Sequence, residues 1–219
     1  LDAIEEAVKQ GAFIQWNHPG WKAQQTDGIP AMYQIHRKLI SNGWLHGIEF
    51  FNDVEYYPTV FNICSENKLT MMGNSDTHGI ISEEYNKPEY INRPMTLVFA
   101  KERSRDSLKE ALFAGRTMVW FRDILAGMEE FAKPFFYNSI SVGQPYFKDD
   151  DNIYFEVANK SDIPFYLING IKDAPSELTL YANSVTRITV GKKVKAPLVY
   201  DVRNVMIGEN DVLKIELKY

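Results

Sequence analysis

Residue spacing changes its rule at Ile140. Before it, short apolar runs alternate with stretches whose apolar residues recur three and four apart; after it, apolar and polar residues largely take turns. The first rule belongs to strands and helices in succession, the pattern of an α/β unit, and the second to short antiparallel strands with one buried face. Residues 152–158, 177–181, 185–190 and 212–217 follow the second rule, and turn signals such as Asn159-Lys160-Ser161-Asp162 and Gly208-Glu209-Asn210-Asp211 separate them. They predict a small antiparallel β-sandwich. With 219 residues and 45% apolar content, the chain is long enough for one large domain or two small ones. The expected division is 1–138 and 139–219.

Within the first part, residues 1–10 place Ile4, Ala7 and Val8 at helical spacing and Gly11 as a C-cap. Pro30 stands where a first helical residue belongs, and the helical spacing of 33–40 ends at Gly43. A third helix is expected up to Asn67 with Asp53 as its N-cap, and Ser104 caps a fourth that Gly115 closes. Residues 12–16, 47–51, 70–72, 95–99 and 117–121 read as strands. Residues 123–133 read as a helix interrupted at Pro134, and the aromatic run Phe131, Phe135, Phe136, Tyr137 as interdomain packing.

Chemistry gathers where strands end. The run at 70–72 stops at Gly73-Asn74-Ser75-Asp76-Thr77-His78-Gly79. Asp76 and His78 are two apart, so on an extended backbone both point to one side. A hard carboxylate beside an imidazole suits zinc, manganese or iron; the same pair also suits a cap or turn. The earlier strand ends in Asn17-His18-Pro19-Gly20-Trp21. Pro19 restricts His18 to extended geometry, which would hold a ligand stiffly, or His18 is a turn histidine bonded to nearby backbone. Trp21 suits substrate stacking or a buried loop anchor. Glu49, inside an apolar run, is a site residue or an internal strut. The polar connection 80–94 is long enough for a lid or rim, and Arg93 at its end suits a phosphate or a surface ion pair with Glu89.

These motifs, in this order and with Gly47-Ile48-Glu49-Phe50-Phe51-Asn52 between them, resemble the PHP (polymerase and histidinol phosphatase) superfamily. More narrowly they resemble the two-domain PHP-like metal-dependent phosphoesterases of Bacteroides-type bacteria. The resemblance implies the C-terminal half of a distorted (β/α)7 barrel over 1–138, followed by the small β domain. It implies His18, Asp76 and His78 as ligands of divalent ions (zinc, manganese or iron), with Trp21 and Arg93 toward a small-molecule phosphate ester. The family's His-x-His pair and its later histidine and glutamate ligands have no match here. His36 lies inside a helical pattern and His46 before a strand, neither at ligand spacing. No general acid or base is assigned.

The resulting expectation is a metal-dependent phosphoesterase, hydrolysing a phosphate ester by metal-activated water in an intact parent. This chain is then an incomplete, inactive piece with an incomplete metal cluster, partnered by the missing N-terminal half of the barrel or by a second copy. The alternative is a non-catalytic binding or structural module on a degenerate half-barrel, since half a barrel leaves sheet edges unpaired. A net charge of −5 without a basic cluster argues against nucleic acid, and no stretch approaches a transmembrane helix. By resemblance the protein is expected to be exported or periplasmic. Cys64 stands alone and reads as a packed thiol, and Asp149-Asp150-Asp151 reads as a solvated turn because the spaced ligands of an EF-hand are missing. No Gly-x-Ser-x-Gly nucleophile elbow occurs.

Overall fold

The computed structural model describes residues 1–86 and 92–219. The chain divides into two compact units, Leu1–Met128 and Glu129–Tyr219. The first begins with α1 (Asp2–Lys9), β1 (Gln15–Trp16), α2 (Gln34–Ser41), β2 (Gly47–Asn52) and β3 (Glu55–Tyr56). It continues through α3 (Val60–Asn67), β4 (Thr70–Asn74), a single turn α4 (Ile81–Glu84) and β5 (Met95–Val98). α5 (Arg105–Phe113), β6 (Thr117–Phe121) and β7 (Ile124–Gly127) complete it.

β1 and β4 flank β2 in parallel, and β3 folds back antiparallel on β2. All six residues of β2 are buried, as its near-continuous apolar run requires of a central parallel strand. α1 and α2 end alike. Gly11 and Gly43 take φ of 71° and 66°, and the following amides return to the helix, Ala12 N–H to Ala7 O at 3.0 Å and Trp44 N–H to Leu39 O at 2.8 Å. Two helix starts differ from expectation. α2 begins at Gln34 rather than at Pro30, because the Tyr33 N–H donates to Nδ1 of His36 at 3.3 Å and makes Tyr33 the cap. α3 begins at Val60 and not after Asp53, because the residues after Asp53 are taken up by the β2–β3 hairpin.

The first unit is mixed α/β with two sheet segments, and no closed barrel forms among the described residues. After β4 the parallel order stops: β5 pairs antiparallel with β6, and β6 with β7. Arg122, at φ 54°, makes the tight turn between β6 and β7. β4 meets these strands through threonine side chains. Thr96 Oγ1 accepts from Gly73 N–H at 2.9 Å and lies 3.1 Å from Gly73 O, and Thr117 Oγ1 donates to Met71 O at 2.8 Å. Gly73 permits this approach, since a Cβ there would stand 2.9 Å from Met95 O. Hydroxyls thus satisfy backbone groups that a parallel neighbour would otherwise pair. Ser104 caps α5 as expected, accepting from Ser107 N–H at 3.2 Å.

The second unit opens with α6 (Glu129–Ser139), then β8 (Ile140–Val142), β9 (Phe147–Lys148), β10 (Asn152–Asn159) and β11 (Phe165–Ile168). β12 (Glu177–Leu180), β13 (Ser184–Gly191), β14 (Leu198–Met206) and β15 (Val212–Leu217) follow. β13, β10 and β8 form one antiparallel sheet with β9 also on β10, while β12, β11, β14 and β15 pair antiparallel in a second. Phe155, Val157, Phe165, Leu167, Ile188 and Val202 are fully buried between the strands' polar outer positions. The expected helix over 123–133 is corrected: β7 occupies 124–127, and α6 runs through Pro134 instead of breaking there. Within this unit the α6 aromatics have defined partners. The Phe136 ring lies 4.8 Å from that of Phe165, and the Tyr137 hydroxyl accepts Glu216 N–H at 2.9 Å. Asp149 caps its own turn, accepting from Asp151 and Asn152 N–H and from the Tyr154 hydroxyl, which holds its carboxyl below the ordinary value.

Candidate metal centre

The loops that follow β1, β2 and β4 carry the candidate site. In parallel α/β units, strand carboxyl ends are where ligands bind. Glu49 in β2 is 2% exposed, yet both its oxygens are satisfied. Oε2 accepts the main-chain N–H of His18 and, at 3.0 Å, Nδ2 of Asn52; Oε1 accepts Nδ2 of Asn74 at 2.8 Å. Asn52 is three residues from Glu49, a spacing that would face opposite ways in a regular strand. The register shift between Glu49 and Phe51 supplies one extra residue and brings the two together. Burial raises the Glu49 carboxyl above its ordinary value, opposed by the His18 N–H and the Asn74 amide.

His18 is half-buried, and its Nδ1 is buried without a hydrogen-bond partner among the described residues. Its φ is 32°, not the extended value that Pro19 predicts, because the turn closes through Trp21 N–H to His18 O at 3.0 Å. Asp76 also takes a left-handed conformation, φ 50°, and His78 Nε2 lies 3.7 Å from its Oδ1. Both side chains are well exposed, that of His78 by 88%. Asp53, at φ 48°, accepts from the Tyr85 hydroxyl at 3.1 Å, and the same hydroxyl donates to Ser75 O at 2.8 Å. Segment 80–86 is thereby tied to the β2 and β4 ends.

Trp21 is 45% exposed with its ring 5.4 Å from that of His18, so it is a rim residue and not a buried anchor. Arg93 is exposed at the foot of β5, and Glu89, its expected partner, lies outside the described residues. His36 stacks on Trp16 at 3.8 Å, and His46 accepts Ile14 N–H through Nδ1 at 2.9 Å; both sit away from ligand roles, and burial lowers both pKa values. Cys64 is fully buried, and burial pushes its thiol up, so it is a packed and inert thiol. Tyr57, buried beneath the His18 loop, was not singled out by any motif; its hydroxyl donates to Glu55, and burial raises its pKa.

The donors fit a divalent ion in kind and fall short in number. The orphaned buried imidazole nitrogen of His18 and the exposed Asp76–His78 pair are each donors of the right chemistry, but among the described residues the three are not brought together as one group. No group of three or more His, Cys, Asp or Glu able to hold a metal occurs among the described residues.

Comparison with known proteins places the two units in order. Residues 140–218, the strand-rich part of the second unit, match a family model described as an Ig-like domain. The whole chain is similar to the crystal structure of a two-domain protein from Bacteroides vulgatus containing a predicted PHP-like metal-dependent phosphoesterase. Identity is 32%, the TM-score is 0.92, and the match covers 100% of this chain and 65% of that one. The chain therefore spans less than two thirds of that neighbour's length. No curated protein matches. No helix among the described residues is long and apolar enough to cross a membrane.

Proposed function

We propose that this chain carries part of the active site of a metal-dependent phosphoesterase that hydrolyses a small-molecule phosphate ester. The observation that carries the reading is the buried, unpartnered Nδ1 of His18 at the end of one parallel strand, with Asp76 and His78 at the end of another. The likeness to a neighbour described as a predicted metal-dependent phosphoesterase, at 32% identity over the full chain, supports it.

In this reading His18, Asp76 and His78 are metal ligands, and further donors come from outside the described residues. When bound, zinc, manganese or iron ions supply Lewis-acid polarisation of a phosphoryl oxygen and activation of water. Trp21 offers an exposed ring for the rest of the ester beside His18, and Arg93 a guanidinium for its phosphate. The missing part of a barrel, or a second copy, is the partner that completes the donor set, and an exported or periplasmic location is part of the same proposal. The division of labour follows the two units, with the Ig-like unit as a structural or docking module.

The test is elemental analysis of metal in this chain and in a longer form extended upstream, each with generic phosphate-ester hydrolysis assayed. The expected result is several ions and activity in the long form, both lost in His18→Ala and Asp76→Ala. A long form that stays metal-free and inert with manganese, zinc and iron supplied overturns the reading. The second reading, a non-catalytic module, is favoured by the lack of a three-donor group among the described residues, and that outcome would select it.

A further inference from the structure

Three chain segments end on one carboxylate. The loop after β1 delivers the His18 main-chain N–H, the end of β2 delivers the Asn52 side-chain amide, and the end of β4 delivers that of Asn74. All three are N–H donors, and Glu49 is the acceptor of each. Asn74 is held from a second side, since its carbonyl accepts Asp53 N–H at 3.1 Å, and Asp76 follows it by two residues.

A deprotonated carboxylate offers only acceptors on a rigid planar fork. A glutamine in its place would turn one oxygen into a donor and set it against an N–H. An aspartate would keep the acceptors and fall one methylene short of both loops. The geometry therefore asks for glutamate, and it asks at a group that both the His18 loop and the β4 end bond to. An apolar residue would suit the burial of β2 equally well, so the core does not explain this side chain.

We propose that Glu49 is a positioning residue: it ties the His18 loop to the Asn74–Asp76 strand end and sets their mutual placement. His18 contributes its main-chain N–H to this tie and keeps its ring free of it, with Nδ1 unpartnered among the described residues. The tie itself stands on hydrogen bonds; only the purpose of the placement, ligand binding, rests on the phosphoesterase reading.

The experiment compares wild type, Glu49→Gln, Asn74→Ala and the core variant Met118→Ala by amide hydrogen exchange, with manganese titrated into each. In Glu49→Gln the amides of His18, which donates to the carboxylate, and of Asp53, which donates to Asn74 O, are expected to exchange at least tenfold faster, while Met71 and Val119 keep their protection. Met118→Ala, which lowers stability without touching the tie, is expected to leave the His18 and Asp53 amides unchanged, a difference that a merely structural role would not produce. If wild type binds manganese, Glu49→Gln is expected to weaken it roughly 10- to 100-fold, the usual range for groups that orient ligands. If wild type binds none, the metal reading loses its support while the exchange result still judges the tie. Unchanged exchange at His18 and Asp53 in Glu49→Gln overturns the proposal. Should that variant fail to fold, Asn74→Ala decides by the same criterion, because it removes one donor and leaves the carboxylate in place.

Discussion

Gly20 rests directly on the ring of Tyr57. A Cβ at position 20 would stand 2.8 Å from Tyr57 Cδ1 and 2.4 Å from the carbonyl oxygen of Gly28. The second contact is with backbone, which cannot swing away as a side chain can. Gly20→Ala is therefore expected to destabilise the first unit by about 1–3 kcal/mol, the usual cost of forcing atoms into a filled site. Gly170→Ala, where a Cβ meets nothing within 4 Å, is expected to stay within about 0.5 kcal/mol. Urea denaturation of both variants checks this; equal midpoints would show that the His18 loop is not packed as described.

His46 makes part of the stability acid-sensitive. Its ring lies 4.7 Å from that of Phe113 and 5.6 Å from that of Phe13, and burial lowers its pKa from the ordinary 6.5. Its Nδ1 accepts Ile14 N–H, which a protonated ring cannot do. With the folded pKa below the unfolded one, the folded state binds fewer protons, so this contribution is present above the unfolded value and is lost as pH falls through the folded one. His36, also lowered by burial, acts in the same sense. The urea midpoint is expected to drop between about pH 7 and pH 5, and less so in His46→Gln, whose carbonyl can still accept. A drop of full size in that variant would rule His46 out as a source.

Phe136 anchors α6 within the second unit through its edge-on contact with Phe165 and is fully buried. Phe136→Ala is expected to cost about 3–5 kcal/mol. Measured by the denaturation of the second unit, a loss well under 1 kcal/mol would mean that α6 is not part of that unit's core.

Much of the fold was legible where burial and period agree. The run at 47–51 and the run at 70–72 read as strands because parallel central strands are apolar throughout, and β10, β13 and β15 because they alternate. β14 was hidden by its own exceptions. Val199 is 39% exposed on the outside while Asn204 is buried inside, donating to Pro164 O and accepting from Tyr166 N–H. β7 carries no strand period to read, since Leu125 and Ala126 are adjacent and both fully buried. Proline does not act as its chemistry suggests at two places: α6 contains Pro134, and the residue before Pro19 is at positive φ.

The site was legible as separate motifs and not as a network. Glu49 stood out as the single charge in an apolar run, and the structure gives it three donors. Its meeting with Asn52 depends on a register shift at Phe50, and nothing in the pair Phe50-Phe51 marks which residue is the extra one. The tie from Asn74 crosses twenty-five positions and exists only once β2 and β4 are side by side.

The backbone at the strand ends has a consequence for any laboratory evolution of this protein. His18, Asp53 and Asp76 hold left-handed φ angles of 32°, 48° and 50°, a region that glycine enters freely and that costs other residues on the order of 1 kcal/mol or more. A library of variants screened for thermal survival alone would be drawn toward glycine at all three positions, and with each such gain it would discard an imidazole or a carboxylate. Heat tolerance and chemistry thus pull in opposite directions at the same few residues, so a screen meant to harden this protein needs ligand binding as a second criterion from its first round.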